Sequence, residues 1–213
     1  MFGLSFRLSL RPYATTRDEV SKATRDWIDR LVIGQNLCPF AAAPSRSESL
    51  RIVESPAKTN EEALETIKSE LDLLIPPSSP ISPSPIFITT APTTTLVVFA
   101  EHPEFLEKHE NLITFSYEAL SIMDSSTSQL VVFHPRAQHN LYSTPNEVDL
   151  PTDDPYNFVT RSPYPTIHLL RTVDLIDAAK FMKGDTEKIP NRNMEKLRSR
   201  SLDKVRKDWS FSN

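Results

Sequence analysis

The chain has 213 residues, of which 38% are apolar and 24% are charged, and its formal net charge is −4 at pH 7. These values predict one soluble globular domain with a sizeable core, and they exclude a highly charged disordered chain and a basic nucleic-acid binder. No apolar stretch is long enough to span a bilayer, so no membrane insertion is expected. The single cysteine, Cys38, and the three glycines exclude an intrachain disulfide and a glycine-rich phosphate loop.

The amino-terminal segment has the composition of a targeting signal. Residues 1–17 include Arg7, Arg11 and Arg17, several serines and no acidic residue. Such a segment is typical of a mitochondrial transit peptide, and Arg11 followed by Tyr13 resembles a matrix-peptidase cleavage site. We therefore expect a mitochondrial-matrix protein; a tail with chance arginines is the alternative.

Apolar periodicity and capping residues predict the elements in the first half of the domain. Val20, Ala23, Trp27 and Leu31 recur at helical spacing, and Gly34 follows them as a natural helix end. We then expect, in chain order, a strand over 50–57, a helix over 61–74 capped by Asn60, a Pro/Ser-rich loop over 76–85 and a short strand over 86–89.

Two continuous apolar runs, 94–100 and 129–133, have the pattern of central strands buried on both faces. The other elements expected in this half are a helix over 103–123, a long polar loop over 136–165, a strand over 166–171, and helices over 173–183 and 190–207. This order predicts an α/β layered domain with a mixed sheet of four to five strands flanked by helices. The domain is expected to span residues 18–208, with a tail at 209–213.

Residues able to carry chemistry are concentrated in three segments, 36–40, 133–135 and 153–171. Ligands of layered α/β domains bind beyond the carboxyl ends of strands, which is where His134 is expected. A loop of about 30 residues in a compact domain is usually functional. Its prolines stiffen it and lower the entropy lost in holding polar groups in place.

Several of these side chains have a catalytic and a structural interpretation. His134 and His168 are candidate general acids or bases, and each can also be a hydrogen-bonded core residue. Arg161 and Arg171 suit a carboxylate or phosphate, and each can instead bind loop carbonyls or an aspartate. Cys38 can act as a nucleophile beside a base, or be a buried inert thiol.

A metal site is a further alternative for the same segments. Two histidines with Asp154 or Cys38 are suitable ligands, although the sequence lacks the close spacing of common metal motifs. The remaining histidines are expected at the surface; they are His102, His109 and His139.

Four motifs follow one another along the chain. They are 27–41 with its Asn-Leu-Cys-Pro-Phe core, Phe-His-Pro at 133–135, the long motif at 153–171, and Ile-Pro followed by Arg-Asn at 189–193. These motifs, in this order, resemble those of the domain of unknown function 1415 family. No activity is settled for this family, so the resemblance implies kinship rather than a reaction. It also implies that one site is shared by Cys38, His134, Asp154, Asn157, Arg161, His168 and Arg171.

The leading hypothesis is a small mitochondrial enzyme that acts on an anionic metabolite by histidine acid–base catalysis. The expected catalytic residues are His134, His168, Asp154 and Cys38. The expected substrate-binding residues are Arg161, Arg171, Asn157, Ser162 and Tyr164. The alternatives are a metal-dependent protein that uses His134 and His168, and a non-catalytic module that binds a partner. The sequence predicts no particular cofactor and no oligomeric state.

Overall fold

The computed structural model describes residues 17–75, 92–139, 154–181, 186 and 188–210. The transit peptide predicted at 1–17 lies outside these residues except for Arg17. The Pro/Ser-rich loop at 76–85 and the short strand expected at 86–89 also lie outside them. In the described part of the chain no helix is both long and apolar enough to cross a membrane.

The described helices are α1 Arg17–Trp27, α2 Ala42–Arg46, α3 Asn60–Leu74, α4 Pro103–Glu107, α5 His109–Ser121, α6 Thr172–Phe181, α7 Lys188–Arg198 and α8 Leu202–Asp208. A π-helical turn, Ile28–Ile33, continues α1, and a 3₁₀ helix spans Pro155–Thr160. The strands are β1 Leu50–Glu54, β2 Thr94–Val98, β3 Ser128–Phe133 and β4 Thr166–Arg171.

The four strands form one mixed sheet in the order β1-β2-β4-β3. β1 runs parallel to β2, whereas β4 runs antiparallel to both β2 and β3. The carboxyl ends of β1, β2 and β3 therefore lie at the same edge of the sheet as the amino end of β4. We call this edge, marked by Glu54, Val98, Thr166 and Phe133, the carboxyl edge. A four-stranded mixed sheet flanked by helices confirms the predicted fold class.

One face of the sheet packs against α3 and α5. Its core is made by Val97, Phe99, Val132, Ile167 and Leu169 of the sheet region, with Ile67, Leu74, Phe105, Leu112 and Phe115 from the helices. Burying a side chain of this size contributes about 1.5–3 kcal/mol, so this layer supplies a large part of the stability.

The opposite face is covered by α1, the π-helical turn, the 3₁₀ helix, α7 and α8. This layer contains Trp27, Leu31, Leu50, Leu96, Phe158, Leu197, Val205 and Trp209. Trp27 packs edge-on against Phe133, with ring centroids 5.1 Å apart. Trp209 is buried and packs on Phe158 at 5.5 Å, so the ordered domain extends through the first residue of the predicted tail.

Three predicted elements differ from the structure. The run at 129–133 forms β3, which is an edge strand among the described strands and not a central one. The helix expected over 103–123 is two helices, because Lys108 is extended at φ −141° and ψ 140°. The helix expected over 190–207 is likewise two helices, α7 and α8, and Ser201 caps the second through its bond from the Lys204 amide.

The cap of α3 also differs from the prediction. The Thr59 side chain accepts a hydrogen bond from the Glu62 amide, so Thr59 is the N-cap and Asn60 is the first helical residue. Thr and Asn are both good N-cap residues, and the sequence alone does not separate two adjacent candidates.

Candidate functional site

β3 ends at Phe133, and the next residue, His134, begins a turn at the carboxyl edge. Its ring Nε2 lies 2.7 Å from the carbonyl oxygen of Phe105, and its Nδ1 accepts a hydrogen bond of 2.9 Å from the Arg136 amide. An acceptor role for Nδ1 leaves the proton on Nε2, which donates to Phe105. Burial lowers the pKa of His134 to about 4, and the Arg136 charge acts in the same direction.

His134 is therefore neutral at pH 7, and the backbone occupies both of its ring nitrogens. In this arrangement the ring fixes the turn to Phe105 of α4. General acid–base use of His134 stays a prediction, and it requires one of these two backbone bonds to open.

His109, at the start of α5, stacks on His134 with ring centroids 5.1 Å apart. Its Nδ1 accepts a hydrogen bond from the Gln138 amide. Its pKa is lowered to about 4, chiefly by burial, and its interactions with His134, His139 and Arg161 act in the same direction. Four basic side chains thus lie close together, and we call His109, His134, His139 and Arg161 the basic cluster.

The expectation that His102 and His109 lie at the surface is wrong, because both side chains are buried. His109 shares the inner face of α5 with Leu112, Ile113 and Ser116. Its helical spacing to these residues is a signal that could have identified it. His102 caps α4 by accepting a bond from the Phe105 amide, and its ring stacks on Phe105.

The second part of the long loop is anchored by Asp154 and Asn157. Asp154 caps the 3₁₀ helix by accepting a 2.7 Å bond from the Tyr156 amide. The Asn157 side-chain oxygen accepts a 2.8 Å bond from the His139 amide. The His139 ring then stacks on Tyr156, with centroids 4.1 Å apart. Asn157 thus holds the backbone of His139 in place.

Asp154 also forms a two-pronged ion pair with Arg198 of α7, in which Nη2 and Nε lie 2.7 and 3.0 Å from Oδ2. Burial alone would raise the pKa of the carboxyl. The Arg198 guanidinium and the Tyr156 amide outweigh it, so this pKa lies below its ordinary value. Sequence reasoning missed Arg198, which stands among many surface charges near the carboxyl terminus.

Arg161 directly follows the 3₁₀ helix, and its side chain contacts the turn that begins at His134. Its Nε donates a 3.2 Å hydrogen bond to the carbonyl of Ala137, and its guanidinium carbon lies 4.1 Å from the centre of the Phe158 ring. The Arg161 carbonyl accepts a 3.3 Å bond from the Trp209 indole. The bond to Ala137 and the contact with Phe158 hold the guanidinium beside the turn of His134, and the indole bond holds the Arg161 backbone.

Ser162 and Tyr164 have packing roles in this structure. The Ser162 hydroxyl donates a 2.6 Å bond to the Tyr164 carbonyl, which stabilises the turn into β4. The Tyr164 ring is buried with Val20, Val98 and Ala100. Their proposed contact with substrate stays a prediction.

Arg171 does not join the other candidates. It pairs in the sheet with Ser128, at the start of β3, and so lies at the end of the sheet opposite the carboxyl edge. Its guanidinium forms an ion pair with Asp174 at 2.7 Å. The expectation that Arg171 and His134 share one site is therefore wrong, because β3 and β4 are antiparallel.

Cys38 lies on the loop between the π-helical turn and α2. Burial raises the pKa of its half-buried thiol, while the Phe40 and Ala41 amides and the Arg192 charge act in the opposite direction. The thiol is therefore mainly protonated at neutral pH. No hydrogen bond or ring contact among the described residues joins Cys38 to His134 or Asp154.

His168 lies in the middle of β4, and its Nε2 is hydrogen-bonded to the Thr94 hydroxyl. Burial lowers its pKa to about 4. Within the described residues, no group of three or more His, Cys, Asp or Glu side chains is placed to hold a metal ion. The metal-dependent alternative therefore has no ligand set in this part of the chain.

The family model for "Protein of unknown function (DUF1415)" matches residues 19–207. No curated protein and no solved structure matches the chain. Because the family model covers most of the chain, the protein belongs to this uncharacterised family, and the resemblance seen in its motifs is confirmed.

Proposed function

We propose that this member of the DUF1415 family is an enzyme that acts on a small anionic metabolite, a carboxylate or a phosphate, bound at the basic cluster. The observation that supports the proposal is that His109 stacks on His134 beside the carboxyl edge, while His139 and Arg161 lie on the segments that contact the same turn. This edge is where open α/β sheets bind their ligands.

Arg161 is the proposed anchor for the anion. It is the one member of the cluster that stays charged at every accessible pH, and its planar fork matches a carboxylate or phosphate in two-point geometry. Contact with Phe158 and the bond to Ala137 hold the guanidinium plane in place. Such preorganisation lowers the entropy that binding costs.

The test is isothermal titration of the full chain with inorganic phosphate and, separately, with malonate. Arg161→Gln should weaken binding of the recognised anion by about tenfold or more, since a hydrogen bond to a charged group contributes about 1.5–3 kcal/mol. Arg171→Gln is the matched control and should bind as the parent does, because Arg171 lies at the other end of the sheet.

Circular dichroism and thermal unfolding establish that each variant is folded, and Arg161→Lys separates charge from geometry. Lysine keeps the charge without the planar fork, so intermediate binding is expected. Equal binding by the parent and Arg161→Gln would contradict the proposal, as would a loss of binding in Arg171→Gln alone.

We also propose that the enzyme works in the mitochondrial matrix, on the composition of residues 1–17. Fusion of this segment to a fluorescent reporter should direct the reporter to the matrix. Replacement of Arg7 and Arg11 by Ala should abolish import, since presequence recognition depends on the basic face. A parent fusion that stays in the cytosol would contradict this localisation.

A further inference from the structure

β3 lies at one side of the sheet, and its outer edge has none of the features that discourage strand pairing. Among the described strands it pairs with β4 alone. Its sequence, Ser-Gln-Leu-Val-Val-Phe at 128–133, contains no charged residue and no proline, which are common means of protecting an exposed edge. β1, at the other side of the sheet, carries Arg51 and Glu54. Of these two edges, the edge of β3 is therefore the one suited to a further strand.

The register of β3 and β4 determines which backbone groups point outward at this edge. Continuing the register sets Thr127 opposite Thr172, and the Thr172 amide donates a 2.9 Å bond to the Thr127 carbonyl. The amide and carbonyl of Thr127 therefore face β4. Because this direction alternates along an antiparallel strand, the amides and carbonyls of Leu130 and Val132 face away from β4. These two residues present two donors and two acceptors to a partner strand.

Exposed apolar side chains are concentrated around the same edge. Among the described residues seven large apolar side chains are exposed, and six of them lie on or next to α5, β3 and α6. The six are Tyr117, Leu120, Ile122, Val131, Val173 and Ile176, and the seventh is Leu73 of α3. α5 lies against β3. α6 begins beside the turn before β3, since Thr172 bonds to the carbonyls of Thr127 and Ser125. Exposed apolar patches of this kind mark interaction surfaces.

The charges beyond the two ends of β3 favour a second copy of this chain as the partner. Asp124 precedes the strand and Arg136 follows it, and both residues are exposed. When two β3 strands pair antiparallel, the beginning of each lies beside the end of the other. Asp124 of each copy then lies near Arg136 of the other, so the same attraction occurs twice. Parallel pairing would instead bring like charges together, which is unfavourable.

We propose that the chain forms a dimer in which β3 pairs antiparallel with β3 of a second copy, around a two-fold axis at Val131. This register sets Leu130 opposite Val132 of the second copy, so the outward backbone groups of both residues are paired. Val131, which is 39% exposed, meets its own counterpart. The axis is perpendicular to the sheet, so the two α5 helices lie on the same side and cover each other's exposed Tyr117 and Leu120. The two sheets become one sheet of eight strands, four from each copy.

Sedimentation equilibrium of the full chain tests the dimer, and the parent should have twice the mass of one chain. Val131→Lys places two like charges opposite each other at the axis, so it should sediment as a monomer. Leu73→Lys is the matched control, because Leu73 is 50% exposed on α3, which packs over β2 and β4; it should remain a dimer. Circular dichroism establishes that each variant is folded. A monomeric parent, or equal dissociation of the two variants, would overturn the proposal.

Amide hydrogen exchange identifies what covers the edge. In the parent the amides of Leu130 and Val132 should exchange slowly, because each donates to the second copy. In Val131→Lys both amides should exchange faster, while the amides of β2 stay protected. A monomeric parent in which Leu130 and Val132 are still protected would show that another segment of the same chain occupies the edge, and this result would overturn the proposal.

Cysteine cross-linking in the Cys38→Ser background tests the register. Residue 131 faces its counterpart in a pair without backbone bonds, where Cα atoms lie about 4.5 Å apart and a disulfide can form. Val131→Cys should therefore give a covalent dimer on mild oxidation. Gln129→Cys is the control on the same face of β3, since its counterpart lies four residues along the strand, about 13 Å away. Cross-linking through residue 129 and not through residue 131 would overturn the proposed register.

Charge reversal tests the contact between the ends of the strands. Arg136→Glu and Asp124→Lys should each raise the dissociation constant of the homodimer by about tenfold, because two attractive pairs become repulsive. An equimolar mixture of the two variants should dimerise as the parent does, since each mixed dimer has opposite charges at both ends. A mixture that dimerises no better than the separate variants would overturn the antiparallel arrangement.

Discussion

His109, His134 and His168 are three histidines whose pKa values burial lowers to about 4. They differ in what holds their ring nitrogens. The backbone occupies both nitrogens of His134, whereas a threonine hydroxyl occupies one nitrogen of His168. At the scale of single residues, hydrogen bonding therefore distinguishes His134, whose ring is held by the backbone at both nitrogens, from His168, whose ring is held at one.

The depressed histidine pKa values predict a loss of stability in mild acid. An unfolded histidine has a pKa near 6.5, so between about pH 6.5 and 4 the unfolded chain binds more protons than the folded one. The free energy of unfolding should then decrease as the pH is lowered from about 6.5 to 4. Each histidine contributes up to about 1.4 kcal/mol per pH unit to this decrease. Urea unfolding at several pH values measures this change in the free energy of unfolding. A free energy of unfolding that is constant from pH 7 to 4.5 would contradict these assignments.

Asp154→Asn should lower the free energy of unfolding at pH 7 by about 1–3 kcal/mol, because it removes a charge-assisted pair with Arg198. The folded pKa of Asp154 is lowered. Its contribution is therefore complete above the unfolded value of about 3.9 and is lost as the pH falls through the folded value.

Asp174→Asn is the matched control for that substitution, since Asp174 forms an ion pair with Arg171 that is more exposed. Its effect should stay below about 1 kcal/mol. Equal effects of the two substitutions in urea unfolding would show that Asp154 is not an anchor of the long loop.

The sequence singled out His134 and Arg161 of the basic cluster, but it placed His109 and His139 at the surface. Asp154, Asn157 and Arg161 stand out as polar residues in a stiff loop. Asn157 and Arg161 contact the segment that follows His134, whereas Asp154 pairs with Arg198 of α7. Arg198 could not be identified, because one arginine among many on a charged helix has no distinguishing pattern. Partners of this kind depend on how distant segments pack.

At the scale of elements, α7 holds the loop before α2 through backbone carbonyls. Arg192 donates a 2.6 Å bond to the Asn36 carbonyl, and the buried Asn193 side chain donates a 2.7 Å bond to the Leu37 carbonyl. Asn36 has a φ of 49°, in the left-handed region that Asn tolerates better than most residues. The first and last sequence motifs are thus parts of one structural unit.

Asn193→Ala should loosen this unit, because it leaves the Leu37 carbonyl without its donor. The expected loss is about 1–3 kcal/mol, with faster amide exchange across residues 34–38 in a hydrogen-exchange experiment. Lys196→Ala is the control, since Lys196 reaches the Gln35 carbonyl from an exposed position. A larger effect of Lys196→Ala, or unchanged exchange in Asn193→Ala, would contradict the assignment.

Periodicity identified most elements because each has a face against a core. The strand at Thr166–Arg171 and the helix ending at Leu74 were placed as the structure has them. The break at Lys108 could not be predicted in this way, because the apolar spacing continues across it from α4 to α5. The apolar runs also do not distinguish the edge strand β3 from the central strand β2. The number of neighbouring strands depends on how the chain folds, and an apolar run does not indicate it.

At the scale of the whole molecule, the direction of β4 decides which predicted residues meet. Because β4 is antiparallel to β3, the segment that carries Arg161 enters the sheet beside the end of β3. The same reversal carries Arg171 to the opposite end. Residue order and spacing do not determine strand direction when a loop of about 30 residues separates two strands, so this part of the site could not be predicted.

The most direct test of the central claim is mapping of phosphate and malonate on the isotopically labelled full chain by amide chemical shifts. The account predicts saturable changes at Ala137–His139 and Arg161–Ser162, and none at Arg171–Asp174, for at least one of the two anions. Changes centred on Arg171, or no saturable change around Arg161 with either anion, would contradict the basic cluster as the binding site.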